Sequence, residues 1–212
     1  MARGANNMMH SISFRLVLAA FGACLLVPAG CSRTQQSRFY LLTSVPEVAP
    51  EAAREEGSLI GVRSVQLPEY LDRPQIVSVV GANQFRIAEF DRWAEPLATN
   101  FAAVLAENLS MLLPTNHVVI SPWGTDPAVN FQVVVNVTQF HGQLNGKASL
   151  TARWALLGGD GAAILRRRST LSESATAEGY AALVAAQNRL VTSLSREIVE
   201  AINTSSRHAR GN

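Results

Sequence analysis

Two spacings of apolar residues divide this chain into its elements. Leu97, Phe101, Val104, Leu105, Leu109 and Leu112 recur at steps of three and four, with Asn100, Glu107 and Ser110 on the opposite face. That period predicts an amphipathic helix over residues 96–113, with Pro96 at its first position and Pro114 closing it. Tyr180, Leu183, Val184, Leu190, Val191, Leu194, Ile198 and Ile202 predict a second, longer helix over 177–202, with Thr176 as its cap. Residues 204–212 are expected to fray.

Elsewhere the period is two. Phe131, Val133, Val135 and Val137 alternate with Gln132 and Asn136, and Leu150, Ala152, Trp154 and Leu156 alternate with Ser149, Thr151 and Arg153. Asn145-Gly146 lies between these runs and predicts an antiparallel hairpin closed by a primed turn. Residues 76–80 and 85–90 form a second hairpin around Gly81-Ala82-Asn83-Gln84, and 164–171 a further strand after Gly158-Gly159-Asp160-Gly161. Short strands are expected at 38–43 and 118–120. Over 59–67 the apolar phase shifts from Ile60 and Val62 to Val65 and Leu67, so a bulge is expected near Arg63-Ser64. Pro68 and Pro74 bracket a tight turn, and residues 46–57 and 122–127 read as loops. Two helices set among hairpins predict an α+β fold, an antiparallel or mixed sheet with both amphipathic helices packed on one face and little cover on the other.

The front of the chain obeys neither period. Arg3 and Arg15 precede an apolar run from Leu16 to Val27, no acidic residue occurs before Glu47, and Ala29-Gly30 sets two small side chains ahead of Cys31. This is the layout of a secretory signal ending in a lipoprotein cleavage box, and the run is far shorter than the roughly 20 residues of a bilayer span. Cys24, after Gly22-Ala23, is a second candidate with a shorter apolar region, and ordinary cleavage after Ala29 or Gly30 is the plain alternative. The expected organisation is a lipoprotein signal peptide at 1–30, a lipidated N-terminus with a short strand and linker at 31–57, a single α+β domain at 58–203 and a disordered tail at 204–212. Ser32, rather than Asp, follows the cysteine, which favours the periplasmic face of the outer membrane over the inner membrane.

Charge and cysteine content narrow the chemistry. The chain carries 18 basic and 16 acidic residues, and loss of the leader with Arg3 and Arg15 cancels the net charge of +2. A neutral domain has no electrostatic reason to bind nucleic acid. Cys24 leaves with the leader and acylation consumes Cys31, so no cysteine remains for a disulfide, a nucleophile or a metal. No phosphate loop, nucleophile elbow or metal-ligand spacing is present, and no cofactor or metal is expected. His117 and His141 have no acidic or histidine neighbour at ligand spacing in the sequence. Arg166-Arg167-Arg168 is the one basic cluster; in a strand at most two of its side chains share a face, for contact with headgroups or an acidic partner or as a solvated edge.

The densest unusual stretch is Pro68-Glu69-Tyr70-Leu71-Asp72-Arg73-Pro74, followed by Phe90-Asp91-Arg92-Trp93-Ala94-Glu95-Pro96. With the acylated leader and Phe39-Tyr40-Leu41-Leu42, these motifs resemble the PqiC (YmbA-like) family of transport auxiliary lipoproteins. The resemblance implies a non-enzymatic outer-membrane lipoprotein that serves an intermembrane lipid transporter. Its partners would be an MCE-domain tunnel subunit (PqiB-like), that subunit's integral membrane partner, outer-membrane lipid through acylated Cys31, and further copies of the chain in a ring. Tyr70, Leu71, Asp72, Arg73, Pro74, Arg92 and Trp93 are then the candidate partner-binding residues. Each also has a local role: Asp72 and Arg73 could bond backbone groups freed by the prolines, and Trp93 could anchor the core with Arg92 stacked on it. The alternatives are a membrane-anchored hydrolase using His117 or His141 as base, and a lipoprotein partner of an outer-membrane β-barrel.

Overall fold

The computed structural model describes residues 35–44, 58–113, 117–123 and 129–210. Cys24, Cys31 and the leader lie outside them. The described residues form eight strands and two helices. The strands are β1 (Arg38–Tyr40), β2 (Ile60–Val62), β3 (Gln75–Gly81), β4 (Gln84–Trp93), β5 (Val118–Ile120), β6 (Phe131–Gly142), β7 (Lys147–Gly158) and β8 (Ala163–Ser174). The helices are α1 (Leu97–Leu112) and α2 (Gly179–Arg210). The fold is α+β, as the alternating periods predict, but its strands divide into two mixed sheets.

The larger sheet runs β5-β2-β6-β7-β8 and the smaller β1-β4-β3. Hairpins supply the antiparallel pairs β3–β4, β6–β7 and β7–β8, whereas β1–β4, β2–β5 and β2–β6 are parallel and join segments distant in sequence. The phase shift over 59–67 becomes an interruption: β2 ends at Val62, and an isolated bridge from Gln66 to Asn136 resumes the pairing. Gly61 lies where an added Cβ would come within 2.9 Å of the Trp123 ring, so β2 has room there for hydrogen only.

One hydrophobic cluster joins both sheets to both helices. Leu97, Phe101, Leu105 and Leu109 of α1 and Leu183, Leu190, Leu194 and Ile198 of α2 are buried in it, and Phe101 meets Phe140 of β6 edge-on at 5.3 Å. Such aromatic pairs add about 0.5–1.5 kcal/mol beyond their burial.

Asn100 belongs to this interior and not to the solvated helix face that the heptad spacing suggests. Its Oδ1 accepts a hydrogen bond from the Leu42 N–H at 2.6 Å, and its Nδ2 donates to the Leu42 carbonyl at 3.2 Å. The segment after β1 is thereby held to α1. Asn188 of α2 repeats the device on Thr43, accepting from its N–H at 3.2 Å and donating to its Oγ1 at 3.0 Å. Buried Asp91 accepts from both Arg38 and Tyr40 at 2.8 Å. Three short polar connections therefore fix the N-terminal segment of the domain.

Three local expectations change. The turn between β6 and β7 spans residues 143–146; only Asn145 has positive φ (64°), so a two-residue primed turn does not form. Asn145 serves a distant end instead, its Oδ1 accepting from the Gly179 N–H at 3.3 Å at the start of α2, where Thr176 was the expected cap. Helix α2 also continues to Arg210, across the stretch expected to fray. Arg207 and His208 bond backward onto Asn203 and Thr204 carbonyls within this last part, adding links that apolar periodicity does not register.

Candidate functional site

The two sequence motifs meet. Pro68 cannot donate a hydrogen bond, and the chain after it coils into a single 3₁₀ turn, Glu69–Leu71, closed by Leu71 N–H to Pro68 O at 2.9 Å and Asp72 N–H to Glu69 O at 3.0 Å. Leu71 is buried and pins the turn. The chain then reaches Pro74, whose carbonyl accepts from the Trp93 N–H at 2.7 Å. The second motif thus lies directly against the first.

Between them is a cleft of about 340 Å³ lined by Asp72, Arg73, Pro74, Trp93, Glu95 and Pro96. Asp72 also borders a larger groove of about 740 Å³, bounded by Gln66, Glu69, Asn136 and Thr138. Trp93 is buried and forms the cleft's inner wall. Neither charged side chain of the turn takes the local role open to it. Among the described residues Asp72 caps no backbone N–H, and Arg73 keeps an Nε hidden from solvent with no acceptor. A shielded donor without a partner is costly, by roughly 1–3 kcal/mol, and such atoms are rare.

Arg92 does not stack on Trp93. The two are successive residues of β4 and project to opposite sides, with Arg92 level with Phe39 and Gln75. Its Nε is likewise shielded and without an acceptor. The cation–π pair is Arg167 over Trp154, at 6.0 Å. Alternation along β8 sends Arg166 and Arg168 to the other face.

His141 is not isolated. Tyr70 stacks on Phe85 at 4.9 Å, and the His141 ring meets Phe85 edge-on at 5.2 Å and Tyr70 at 6.0 Å. This cluster ties the motif turn to the β3–β4 hairpin and to β6. Periodicity could not reveal it, because its members come from three elements. Burial holds the His141 pKa below the usual histidine value, and it raises that of the Tyr70 hydroxyl. A folded state that disfavours protonation of His141 gains from its neutral form, so this residue's contribution is fully present above about pH 6.5 and is lost as pH falls below it. Thermal unfolding followed from pH 7.5 to 5 should show this loss, and His141→Phe should reduce it. An unchanged pH profile in the variant would contradict the assignment. Among the described residues no group of three or more His, Cys, Asp and Glu converges as a metal site.

A model of the ABC-type transport auxiliary lipoprotein component family matches residues 40–199. The chain belongs to this family. Both motifs fall within the match, in agreement with the PqiC-family resemblance that they carry. The intermembrane transport lipoprotein PqiC of Escherichia coli K12 is 29% identical over 157 residues, 74% of this chain and 81% of PqiC. A crystal structure of an uncharacterized protein superposes with a TM-score of 0.65 at 26% identity, covering 79% of this chain and 99% of that one. Protein XCC0632 from Xanthomonas campestris shares the fold at 15% identity, with a TM-score of 0.69 over 83% of this chain and 100% of its own. Within the auxiliary lipoprotein family the chain is thus a transport-system component, and none of its described helices is long and apolar enough to cross a membrane.

Proposed function

We propose that this protein is an accessory lipoprotein of an ABC/MCE-type intermembrane phospholipid transport complex, held at the periplasmic face of the outer membrane by acylated Cys31. In this reading it acts without catalysis. It docks the MCE-domain tunnel subunit, itself joined to an integral membrane partner, through the Tyr70–Pro74 turn and Arg92, with Trp93 shaping the cleft wall, and several copies form a ring around the tunnel's outer end. Outer-membrane integrity would depend on that contact. The observation that carries the reading is the cleft between the motifs, lined by Asp72 and by Arg73, whose shielded Nε has no acceptor among the described residues, in a chain of the transport auxiliary family.

Affinity purification of the full chain in mild detergent tests it. An MCE-domain protein and an integral membrane subunit should be recovered together. The Asp72→Ala, Arg73→Ala double variant should lose most of that recovery while its unfolding temperature changes little, since neither side chain has a partner to lose among the described residues. A clean preparation lacking both partners would overturn the proposal, as would recovery indifferent to the double substitution.

A further inference from the structure

The larger sheet ends in β8, a twelve-residue edge strand about 40 Å long without Pro, Gly or Lys inside it. Natural edges are blunted by shortness, prolines, bulges or covering segments. Here no described segment covers the free side, and the one bulge lies at the strand's start, between Leu156 and Leu157 of its partner β7. The side chains of β8 also have two characters. Towards α2 it presents half-buried Leu165 and Leu171 and buried Ser169, with exposed Arg167 over Trp154 between them; towards the uncovered face it presents Arg166, Arg168, Thr170 and Ser172.

Edge protection accounts for Arg166 and Arg168 but not for Arg153. Arg153 sits on β7, an interior strand, directly opposite Arg168, with Ala155 opposite Arg166. Like charges facing each other across a ladder are destabilising. Among the described residues no carboxylate pairs with any of the three; the ion pairs found are Arg38–Asp91 and Arg189–Glu173. These guanidinium groups rim a shallow groove of about 340 Å³ floored by Val134 and Ala155. An anion facing them from outside would convert repulsion into attraction.

We propose that β8 accepts an extended acidic segment of a partner protein as an added strand. The segment's carboxylates, at alternate positions, lie beside Arg166 and Arg168, with Arg153 one strand further in adding to the positive field, and its intervening apolar side chains continue the Leu165 and Leu171 side. Strand addition uses the free backbone groups of an edge, and alternate side chains set its specificity. A lipid surface would meet the arginines yet leave the ladder unpaired, which is why the edge favours a strand. This site is separate from the motif cleft, and it stands whether or not the tunnel docks there.

The full chain in detergent should bind a fluorescent Glu-Val-Glu-Val-Glu-Val-Glu peptide at low salt, and binding should weaken as ionic strength rises. Arg166→Glu with Arg168→Glu should weaken it about tenfold or more and transfer preference to the Lys-Val counterpart. Arg153→Gln, milder and fully surface-exposed, should produce a smaller loss of the same sign. Methylating the peptide nitrogens on one side should abolish binding. Equal binding of acidic and basic peptides, or indifference to N-methylation, overturns the proposal. So does a double variant that instead loses only pelleting with phosphatidylglycerol vesicles, which assigns the face to lipid, or one that changes only the oligomer size, which assigns it to a second copy.

Discussion

With alanine at position 31, nearly all of the protein should leave the membrane fraction and appear in the soluble periplasm. In the proposed anchoring, Cys31 bears more than one fatty chain, each CH₂ contributing about 0.8 kcal/mol of burial. A single myristoyl chain gives only about 10⁴ M⁻¹, so the stable attachment comes from the second chain and is lost with the thiol. No described helix offers a replacement span. Fractionation and mass spectrometry of the mature N-terminus measure the effect, and Cys24→Ala should leave localisation unchanged. Persistent membrane association of Cys31→Ala would transfer the anchor to Cys24 or to protein contacts. Docking through the Tyr70–Pro74 turn does not draw on acylation in this reading, so the released protein should still capture its partner in detergent extracts.

The second large effect belongs to Asn100. Asn100→Ala strips the partner from both the N–H and the carbonyl of Leu42, two backbone groups in a buried setting. At about 1–3 kcal/mol for each orphaned group the cost is roughly 2–6 kcal/mol, or about 4–24 °C in Tm for a domain of this size. Asn100→Asp keeps the acceptor but sets a buried carboxylate oxygen against the Leu42 carbonyl, so at neutral pH it should cost at least as much as alanine. Amide exchange supplies the local readout: residues 38–44 should lose protection before the β6–β7–β8 hairpins do. If exchange accelerates uniformly, Asn100 is a general core residue and not a clamp on the N-terminal segment.

The sequence makes the local part of this architecture plain. Both helices and all three hairpins follow from periods of 3.6 and 2 and from turn residues, because each is decided by neighbours within about twenty positions. Division into two sheets is not decided that way. It rests on parallel pairs of three-residue strands, such as Arg38 beside Asp91 and Ile60 beside Val118, which carry almost no periodic signal. Asn100 shows the same limit: its position reads as solvated until the Leu42 backbone arrives to satisfy it. The motif residues were legible as a constellation, and their proximity in space follows from the Trp93 to Pro74 bond. The roles within it were less so. Arg92 and Trp93 are adjacent in sequence, which suggests stacking, yet strand alternation separates them, while His141 gains aromatic neighbours that no spacing announces.

The parallel pairing of β1 with β4 has a mechanical consequence. A strand at the margin of a sheet resists tension along its own axis in shear, with every bond loaded at once, whereas a perpendicular tug unzips it one bond at a time. The bidentate grip of Asp91 on Arg38 falls at the first residue to feel a pull from the chain ahead of it, and Asn100 and Asn188 take up what passes beyond. Traction reaching the domain through its front end is thereby shared between the small sheet and both helices, and because Tyr40 pairs with Trp93, whose N–H bonds the Pro74 carbonyl, part of it is felt at the motif cleft itself.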